Sequence, residues 1–379
     1  MDFELSPDHK VLQGSVCDFV EKEVKPLAIQ IDENHKIPDE LIQKMSTLGL
    51  LGSFIPEAYG GAGLDILSYV IVVEEVSKAC ASSGVLISAH TSLACDPILH
   101  FGTESQKTKF LPPLASGAKI GAILLTEPEA GSDVAAMATT YQKDGDGFVI
   151  NGNKIFVTNG AFRGTGILFA SMDRNLKHKG ISAFIVDLES EGVEILRNEN
   201  KLGIRGSYTT SFAINHLRVP AENLLGSEGH GFKVAMETLN GGRIGIAAQA
   251  LGIAEGAFDR SLAYAKERNQ FGHPISELQS IQFKLADMFT RIETSKLIVY
   301  RSAWLKENQK PYAAESAMCK LHASETATYV TKEAIQIHGG YGYVTEYEVE
   351  RMYRDAKITE IYEGTSEIQR LIISKALLS

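Results

Sequence analysis

The sequence has few cysteines, and the four that it contains are far apart. Cys17, Cys80, Cys95 and Cys319 form no CxxC pair within the 379 residues, so neither a disulfide framework nor a cysteine-ligated zinc site is expected. Separate thiols of this kind are normally free and buried in proteins of a reducing compartment. The ten histidines do not cluster in the sequence either, and we predict no metal site.

Long apolar runs are also absent. No uninterrupted apolar stretch is long enough to span a bilayer, and the residues from Met1 to Ser6 show neither a signal peptide nor an Arg-rich transit sequence. We therefore expect a cytoplasmic protein with no membrane insertion. The net charge of −10 argues against a general nucleic-acid-binding surface, because phosphate affinity requires clustered Lys and Arg. It leaves room for a local basic pocket that binds a phosphorylated ligand.

Common motifs of nucleotide binding and hydrolysis are missing as well. No GxGxxG follows a predicted strand and no GxxxxGKS/T occurs, so neither a Rossmann site nor a P-loop is supported. The sequence contains no HExxH and no GxSxG, the signatures of zinc proteases and of α/β-hydrolases. What remains is an ordinary globular composition, 44% apolar and 22% charged, in a chain long enough for two or three domains.

Hydrophobic periodicity divides the chain into three parts. Residues 1–120 repeat apolar positions at the helical spacing, residues 121–232 break into short apolar stretches separated by turns, and residues 233–379 return to the helical spacing. The predicted fold is mainly α with a central β domain, a barrel or two stacked sheets, and the two helical parts are expected to pack together. Long helices are predicted over 243–267, 278–308, 312–338 and 366–378.

Strands in the central part are predicted at 120–125, 148–150, 155–157, 167–170, 183–186, 211–214 and 217–219. Two of the dividers, Asp144-Gly-Asp-Gly and Asn151-Gly-Asn, are typical of tight hairpin turns. We therefore expect a hairpin at each of these two sites.

Glu363 is the most informative candidate for catalysis. It follows an alternating run over 358–362 and precedes a Gly-Thr-Ser turn. Thr365 or Ser366 can then cap a helix that begins near Glu367. A carboxylate between an aromatic residue and a glycine, just before a helix, suits a positioned general base, and the N–H groups of the turn could bind an oxyanion. The alternative is an acid that merely stabilises the helix N-terminus.

Two other segments carry polar groups where strands end. Thr126 and Ser132 offer hydroxyls in a loop broken by Pro and Gly, which could face a polar cofactor or satisfy the local backbone. Phe156 and Thr158 share one face of a strand by the period-two rule. An aromatic ring beside a hydroxyl suits a flat heteroaromatic ligand, and the alternative is a core residue beside a strand-end polar residue.

Two helix ends suit a phosphorylated ligand. Arg268 ends a helix and could bind a phosphate through two hydrogen bonds, or it could neutralise the helix C-terminus. The run from Gln336 to Tyr343 closes another helix with clustered glycines. Such glycines allow the backbone to approach a pyrophosphate closely, although a helix cap followed by a turn is the commoner reason for them.

Seven segments, in this order, resemble the acyl-CoA dehydrogenase family over essentially the whole chain, most closely its short-chain (butyryl-CoA) branch. They are Leu125-Thr-Glu-Pro, Ala130-Gly-Ser-Asp, Gly152-Asn-Lys with Thr158-Asn-Gly, Gly242-Arg-Ile-Gly-Ile-Ala-Ala-Gln-Ala-Leu-Gly-Ile-Ala, Gln282-Phe-Lys-Leu-Ala-Asp, Gln336-Ile-His-Gly-Gly-Tyr-Gly-Tyr and Arg354-Asp-Ala-Lys-Ile-Thr-Glu-Ile-Tyr-Glu-Gly-Thr-Ser-Glu. Each segment is weak alone, but seven in register across three domains are specific.

The resemblance implies a FAD enzyme that oxidises the Cα–Cβ bond of a short-chain acyl-CoA thioester to a trans-2-enoyl-CoA. It implies a helical N-terminal domain, a β middle domain and a C-terminal four-helix bundle in a homotetramer, with electrons leaving to electron-transfer flavoprotein. Glu363 would remove the α-proton while the β-hydride passes to the flavin N5. The backbone N–H of Glu363 and a flavin ribityl hydroxyl would polarise the thioester carbonyl.

The same resemblance implies binding roles residue by residue. Thr126 and Thr158 would hydrogen-bond the isoalloxazine with Phe156 beside it, and Ser132 would lie where flavin and CoA meet. The FAD pyrophosphate and adenosine would be bound by Arg268, Phe271 and Gln279, by Thr365 and Glu367, and, from a neighbouring subunit, by Gln336, Gly339 and Gly340. The substrate would contact Ser132, Asn240, Arg243, Tyr362 and Gly364.

Three positions distinguish branches of the family. Other branches carry their base on the helix near Arg243, where this chain has Gly242, which leaves Glu363 as the candidate. Asn240 replaces an Asp that many members use to contact the pantetheine. No Arg occurs around Gly84, which disfavours a dicarboxylyl substrate.

Asp96 leaves one alternative open. It could act as an additional acid or base on a branched or alicyclic acyl-CoA, or it could simply cap the helix ahead of Pro97. Two further alternatives are a non-catalytic FAD-binding scaffold, which would have lost the base or the flavin hydroxyls, and an oxidase that uses O₂.

Overall fold

The computed structural model describes residues 4–378, so the predicted domain ends at residues 1 and 379 lie outside it. The first part of the chain is helical, as predicted. Its α-helices are α1 (Pro7–Phe19), α2 (Ala28–Asn34), α3 (Asp39–Thr47), α4 (Ile66–Ala79), α5 (Ala81–His90), α6 (Asp96–Phe101) and α7 (Glu104–Ala115). Side-chain oxygens of Ser6, Asp65 and Thr103 cap α1, α4 and α7. A π-helical turn, Thr91–Cys95, joins α5 to α6.

The central part forms a β domain. Its strands are β1 (Gly121–Leu124), β2 (Thr140–Asp144), β3 (Gly147–Thr158), β4 (Thr165–Ser171), β5 (Ile181–Asp187), β6 (Val193–Asn198), β7 (Thr209–Pro220) and β8 (Leu224–Leu225). Hydrogen bonds join them in the order β6-β7-β3-β2-β4-β5-β8, and β1 lies parallel to β4. An apolar cluster fills the interior of this domain, with Tyr141, Phe148 and Phe184 in edge-to-face contact.

The two predicted hairpins have different outcomes. β2 and β3 pair antiparallel with Asp144 opposite Gly147, so the first hairpin is confirmed. The second prediction is wrong, because Asn151-Gly-Asn lies inside β3 at a shift of register against β7. A Cβ on Gly152 would lie 2.3 Å from Thr139 Oγ1. The glycine therefore marks a β-bulge with close backbone packing, not a turn.

Other strand predictions were too short or missed a strand. The stretches at 148–150 and 155–157 belong to the single strand β3, and those at 211–214 and 217–219 belong to β7. The two-residue β8 was not predicted, and neither were β2 and β6. β2 and β6 consist mostly of exposed or half-buried residues, so they lack the apolar stretch on which the prediction depended.

The last part of the chain is again helical. After α8 (Gly231–Glu267) comes a short hairpin of β9 (Asn269–Gln270) and β10 (His273–Pro274), then α9 (Gln279–Glu307), α10 (Ala313–His338), α11 (Val349–Ile358) and α12 (Ser366–Leu378). α8 begins earlier than predicted, and Val234, Ala235 and Thr238 already lie on its buried side. No helix of the described residues combines the length and the hydropathy needed to cross a membrane.

The two helical parts pack together, as predicted, through α4 and α8. Gly252 and Gly256 of α8 face the carbonyl oxygens of Glu74 and Lys78 in α4, and a Cβ at either glycine would lie 2.2 Å from that oxygen. Both glycines therefore allow close backbone contact between the helices. One apolar core spans both helical parts and a second fills the β domain. We keep 1–120, 121–232 and 233–379 as the proposed domain boundaries.

Candidate active site

Glu363 lies in the turn that joins α11 to α12. α11 ends at Ile358, so the alternating run over 358–362 is not extended but forms the turns after this helix. Thr365 Oγ1 accepts a hydrogen bond from the N–H of Ile368 at 3.4 Å. Of the two predicted caps, Thr365 is therefore the one in place, and α12 begins at the next residue.

The backbone of the Glu363 turn has an uncommon conformation. The φ angle is +53° at Glu363 and +101° at Gly364. A left-handed backbone at a residue other than glycine costs about 1–3 kcal/mol and persists where its surroundings enforce it. Two side chains donate to the Gly364 carbonyl oxygen, Lys320 through Nζ and Gln369 through Nε2, each at 2.7 Å. These two hydrogen bonds fix the orientation of the peptide between Gly364 and Thr365, one residue after Glu363.

The carboxylate of Glu363 lies against α8 at Gly242. A Cβ on Gly242 would be 2.0 Å from Glu363 Oε2 and 2.7 Å from Leu93 Cδ2, so the glycine leaves the space that the carboxylate occupies. Oε2 is buried and has no hydrogen-bond partner within residues 4–378. Since buried polar atoms are usually paired, this oxygen is an acceptor left available to a ligand.

The electrostatic surroundings of Glu363 suit a general base. Burial raises the pKa of Glu363 from its ordinary 4.5 to about 7, and Lys320 and Arg243 oppose the rise. Burial likewise lowers the pKa of Lys320 to about 8, against the opposing effect of Glu363. A carboxyl group that titrates near neutral pH can both take and release a proton under physiological conditions.

Predicted substrate residues lie around this carboxylate on α8 and in the turn. Arg243 is buried and donates from Nη1 to Asn240 Oδ1, and its Nε has no hydrogen-bond partner among the described residues. The Tyr362 hydroxyl donates to Gln249 Oε1, and Gln249 Nε2 donates to the carbonyl of Ala81 at 2.9 Å. The structure thus brings Asn240, Arg243 and the turn together and adds Gln249, which sequence analysis missed.

Tyr69 of α4 also borders this region and was missed. Its hydroxyl lies 3.2 Å from Ser88 Oγ, and a Cβ on Gly245 of α8 would lie 2.2 Å from that hydroxyl. Burial raises the pKa of Tyr69, and the negative charges of Glu363 and Asp96 add to the rise. Tyr69 is therefore a neutral side chain that fills the space beside α8.

Thr126, Phe156 and Thr158 lie where β1 and β3 end. The carbonyl of Thr126 accepts a hydrogen bond from the N–H of Ile155 at 2.9 Å, which joins the loop after β1 to β3. Phe156 has a φ of +56° and is 59% exposed, so the alternative interpretation as a core residue is wrong. An aromatic ring held on the surface of a β domain beside two half-buried threonines fits the flat ring of a cofactor.

A buried ion pair supports this loop. Lys154 Nζ lies 2.7 Å from Glu127 Oε1 and donates to the carbonyl of Leu125 at 3.1 Å. Glu127 also accepts hydrogen bonds from the N–H groups of Ala138 and Thr139. Both residues belong to segments that resemble the family, but neither was predicted to be a site residue.

A second group of predicted residues lines a cavity of about 790 Å³ at the end of α8 and α10. Arg268, Gly339 and Gly340 lie on its wall, and the Arg268 guanidinium is 5.4 Å from the ring centre of Tyr341. A Cβ on either glycine would meet no atom within 4 Å. Phe271 is 88% exposed with a φ of +53°. A cation, open glycines and an exposed aromatic ring fit the pyrophosphate and adenosine of a dinucleotide such as FAD.

Within a single chain, the remaining predicted cofactor residues do not come together in one site. Ser132, Gln279, Gln336 and Glu367 are exposed, and the cavity of Arg268 is not lined by Thr126, Phe156, Thr158 or Glu363. The described residues contain no group of three or more His, Cys, Asp or Glu side chains that could hold a metal ion.

Asp96 does not cap its helix. α6 begins at Asp96 with no side-chain hydrogen bond at its N-terminus, so the capping interpretation is wrong. Asp96 instead accepts from Lys306 Nζ at 2.9 Å and lies 3.2 Å from His100 Nδ1. Burial alone would raise the pKa of Asp96, but Lys306 and His100 outweigh it and hold the pKa at about 2. A Cβ on Gly241 would lie 3.2 Å from Asp96 Oδ2, one residue from the glycine that contacts Glu363.

Comparison with known proteins covers the whole chain. Family models for the N-terminal, middle and C-terminal domains of acyl-CoA dehydrogenase match residues 6–118, 122–217 and 229–378. The short-chain specific acyl-CoA dehydrogenase of Clostridium acetobutylicum is 52% identical over 374 residues, which cover 99% of each chain.

Solved structures agree with this similarity. Butyryl-CoA dehydrogenase from Megasphaera elsdenii superposes with a TM-score of 0.98 at 46% identity over all of both chains. A chain from a structure of the electron transferring flavoprotein of Acidaminococcus fermentans, concerned with flavin-based electron bifurcation, has a TM-score of 0.98 at 48% identity over all of both chains. An acyl-CoA dehydrogenase complexed with FAD from Bacillus anthracis has a TM-score of 0.93 at 37% identity over 99% of this chain and 67% of that one. The chain therefore belongs to the acyl-CoA dehydrogenase family of oxidoreductases, and its cofactor is FAD.

Proposed function

We propose that the protein is a short-chain acyl-CoA dehydrogenase in which Glu363 removes the α-proton of the thioester. The observation that carries this proposal is the Glu363 carboxylate, which lies against Gly242 with Oε2 buried and free of any hydrogen bond within residues 4–378. When bound, FAD supplies the hydride acceptor for the β-carbon. The similarity to the short-chain enzyme of Clostridium acetobutylicum and to butyryl-CoA dehydrogenase supports a short acyl chain.

The base must match a very weak carbon acid. A carboxylate with an ordinary pKa is a poor acceptor for an α-proton, and the rise from 4.5 to about 7 corresponds to roughly 3 kcal/mol in favour of the protonated form. Burial therefore strengthens Glu363 as a base. Lys320 and Arg243 keep the rise from going further, so that much of the enzyme carries the deprotonated base at neutral pH.

The same residue offers an oxyanion donor. The N–H of Glu363 makes no hydrogen bond within residues 4–378, and it lies in a turn beyond the end of α11. A free N–H close to the base can bind the thioester oxygen as negative charge develops there during proton removal. Glu363 thus supplies both the base and a hydrogen-bond donor for the thioester oxygen.

Substrate contacts follow from the arrangement on α8. We assign Arg243, Asn240 and Ser132 to the CoA portion, and Tyr362 and Gly364 to the acyl thioester beside the base. Asn240 Oδ1 accepts a hydrogen bond from Arg243. The Asn240 side chain therefore offers the CoA portion a polar contact without the negative charge of an Asp.

For FAD, we assign the ring to Thr126, Phe156 and Thr158, and the pyrophosphate and adenosine to the group around Arg268. Phe271, Gln279, Gln336, Thr365 and Glu367 complete this second group. Arg268, Gly339 and Gly340 line one cavity of a single chain, so a ligand bound by all three takes them from the same subunit. The resemblance implied that Gln336, Gly339 and Gly340 come from the neighbouring subunit, and we now propose that Arg268 comes with them. A homotetramer would supply that neighbour.

We propose electron-transfer flavoprotein as the electron acceptor. The similarity to a chain from the structure of the Acidaminococcus fermentans flavoprotein supports it.

The alternative of a branched or alicyclic substrate rests on Asp96. Asp96 lies beside Gly241, close to the region where the acyl group would be bound, but Lys306 already neutralises its charge. The alternative of a non-catalytic scaffold is disfavoured because Glu363, Thr126 and Thr158 are all present.

An anaerobic titration of the purified flavoprotein tests the proposal. Butyryl-, isobutyryl-, octanoyl- and cyclohexanecarbonyl-CoA are added separately while the visible flavin band is recorded. Bleaching by butyryl-CoA at the lowest concentration is expected. Bleaching by the cyclic or branched thioester alone would retain the mechanism and change the substrate. No bleaching by any of them, with FAD bound, would favour the scaffold.

A further inference from the structure

Lys320 is a buried cation whose partner is a backbone carbonyl. It lies on α10 with none of its surface exposed, and its Nζ donates to the Gly364 oxygen at 2.7 Å. Within residues 4–378 no carboxylate forms an ion pair with Lys320. Lysine is rarely buried in this way, because the desolvation of an unpaired ammonium group is costly. A buried lysine of this kind therefore indicates a role for its charge or for its hydrogen-bond donor.

The carbonyl that Lys320 binds belongs to the turn of the proposed base. Gln369 Nε2, from α12, donates to the same Gly364 carbonyl oxygen at 2.7 Å and lies 3.4 Å from the backbone carbonyl oxygen of Glu363. Two donors from two helices thus converge on a peptide next to residues with φ of +53° and +101°. Left-handed backbone of this kind is maintained where surrounding contacts enforce it.

We propose that Lys320 is a positioning residue for the Glu363 turn: with Gln369 it fixes the Gly364 carbonyl, so that the carboxylate and the N–H of Glu363 face the same thioester. The inference rests on the proposed role of Glu363 as the base. Lys320 touches neither the substrate nor FAD in this scheme and acts through the turn.

Lys320 also acts on Glu363 through its charge. The groups that face Glu363 are the cations Lys320 on α10 and Arg243 on α8, together with Tyr362 and Tyr69, whose pKa values are raised by burial so that both stay neutral. Removing the ammonium of Lys320 leaves Arg243 as the one cation of this set. The pKa of Glu363 then rises above about 7, and the base is protonated over a wider pH range.

Three substitutions separate the hydrogen bond from the charge. Lys320→Met removes both with little change in side-chain length, Lys320→Arg keeps the charge, and Gln369→Leu removes the second donor without altering any charge. Lys332→Met is the matched control, because Lys332 lies on the same helix with a side chain that is 69% exposed. For each variant we would measure Tm, FAD content, kcat and KM for butyryl-CoA, and the pH midpoint of flavin reduction.

We expect Lys320→Met to keep its FAD, to lower kcat by about 10- to 100-fold, as for the loss of one hydrogen bond from a charged donor, and to change KM by less than about threefold. Its pH midpoint should move to higher pH. Lys320→Arg should restore the midpoint more than the rate, and Gln369→Leu should lower the rate without moving the midpoint. A lower Tm with normal kcat per FAD and an unmoved midpoint would show a merely structural lysine and overturn the proposal.

Hydrogen–deuterium exchange supplies a readout that does not depend on turnover. Backbone amides over 362–369 should exchange faster in Lys320→Met and Gln369→Leu than in Lys332→Met, because the turn has lost a donor. Equal exchange in all variants would refute the positioning role even if no acyl-CoA is oxidised. Failure of the wild-type protein to oxidise any acyl-CoA would instead overturn the proposed function. Should Lys320→Met fail to fold, Lys320→Arg and Gln369→Leu still give the same two decisions.

Discussion

Replacing Gly242 with Ala places one methyl group where the Glu363 carboxylate lies. The added Cβ would be 2.0 Å from Oε2 and 3.0 Å from Cδ of Glu363, and real Cβ contacts of this kind lie beyond 3 Å. The carboxylate must therefore move by roughly 1 Å or more, a displacement that costs about 100-fold in the rate of a positioned catalytic group. We expect flavin reduction by butyryl-CoA to slow by at least this factor.

The same substitution should leave the fold intact. The atoms that the new methyl group meets belong to the flexible ends of Glu363 and Leu93, and Ala is favoured over Gly inside a helix by up to about 1 kcal/mol. We therefore expect FAD content and Tm to stay at or above the wild-type values while the rate falls. Rapid mixing under anaerobic conditions gives the rate of flavin bleaching, and thermal unfolding gives the stability.

Gly241→Ala is the matched control for this experiment. Its Cβ would meet Lys306 Nζ at 2.7 Å and Asp96 Oδ2 at 3.2 Å, so it disturbs the neighbouring ion pair and leaves the Glu363 carboxylate in place. Gly241→Ala should reduce flavin far faster than Gly242→Ala. Wild-type reduction rates in Gly242→Ala would refute the placement of the base against α8.

Further predictions concern Glu363 itself, Arg268 and Asp96. Wild-type flavin reduction should accelerate as pH rises through about 7, where Glu363 loses its proton. Glu363→Gln should bind FAD and substrate, but its rate of flavin reduction should fall by about 100-fold or more. Substantial flavin reduction in that variant would contradict the assignment of Glu363 as the base. Arg268→Ala should weaken FAD retention and the oligomer, measured by flavin absorbance and sedimentation, and full occupancy would make Arg268 a helix-end charge. Asp96→Asn leaves Lys306 buried without its counter-charge and should cost about 3 kcal/mol or more of unfolding free energy. Because the pKa of Asp96 is lowered from 3.8 to about 2, the stability that this pair contributes should be complete above pH 4 and lost as pH falls toward 2. Equal loss of turnover on linear and cyclic substrates in Asp96→Asn would end its acid/base alternative.

The order of helical and β parts was predictable because it depends on a pattern that burial imposes on the sequence. Long helices such as α9 and α10 deviate from prediction by one residue at each end or less. Asn151-Gly-Asn shows the limit of this approach. The residues that permit a tight turn also permit a β-bulge, and the pairing of β3 with β7, which decides between them, is set by distant sequence.

Within the site, Glu363 was predictable because its motif is local, whereas Lys320 was not singled out. A lysine in a helix is ordinarily an exposed residue. One signal was available: Lys320 lies at helical spacing among small residues, Ser316, Ala317, Ala323, Ser324 and Ala327, and the structure buries all of them. A cation on the small-residue face of a helix is the sequence pattern that would have identified it.

A base in a turn can do what a base inside a helix cannot. The N–H of a residue in a helix interior is bound to the carbonyl four residues before it, so a carboxylate placed on α8 at position 242 would bring no free donor from its own backbone. Glu363 follows the end of α11, its φ is positive, and its N–H is unpaired within residues 4–378. One residue can therefore accept the α-proton and stabilise the thioester oxygen. The arrangement requires a strained turn to be held in a fixed position relative to the substrate. The hydrogen bonds from Lys320 and Gln369 to the Gly364 carbonyl meet that requirement.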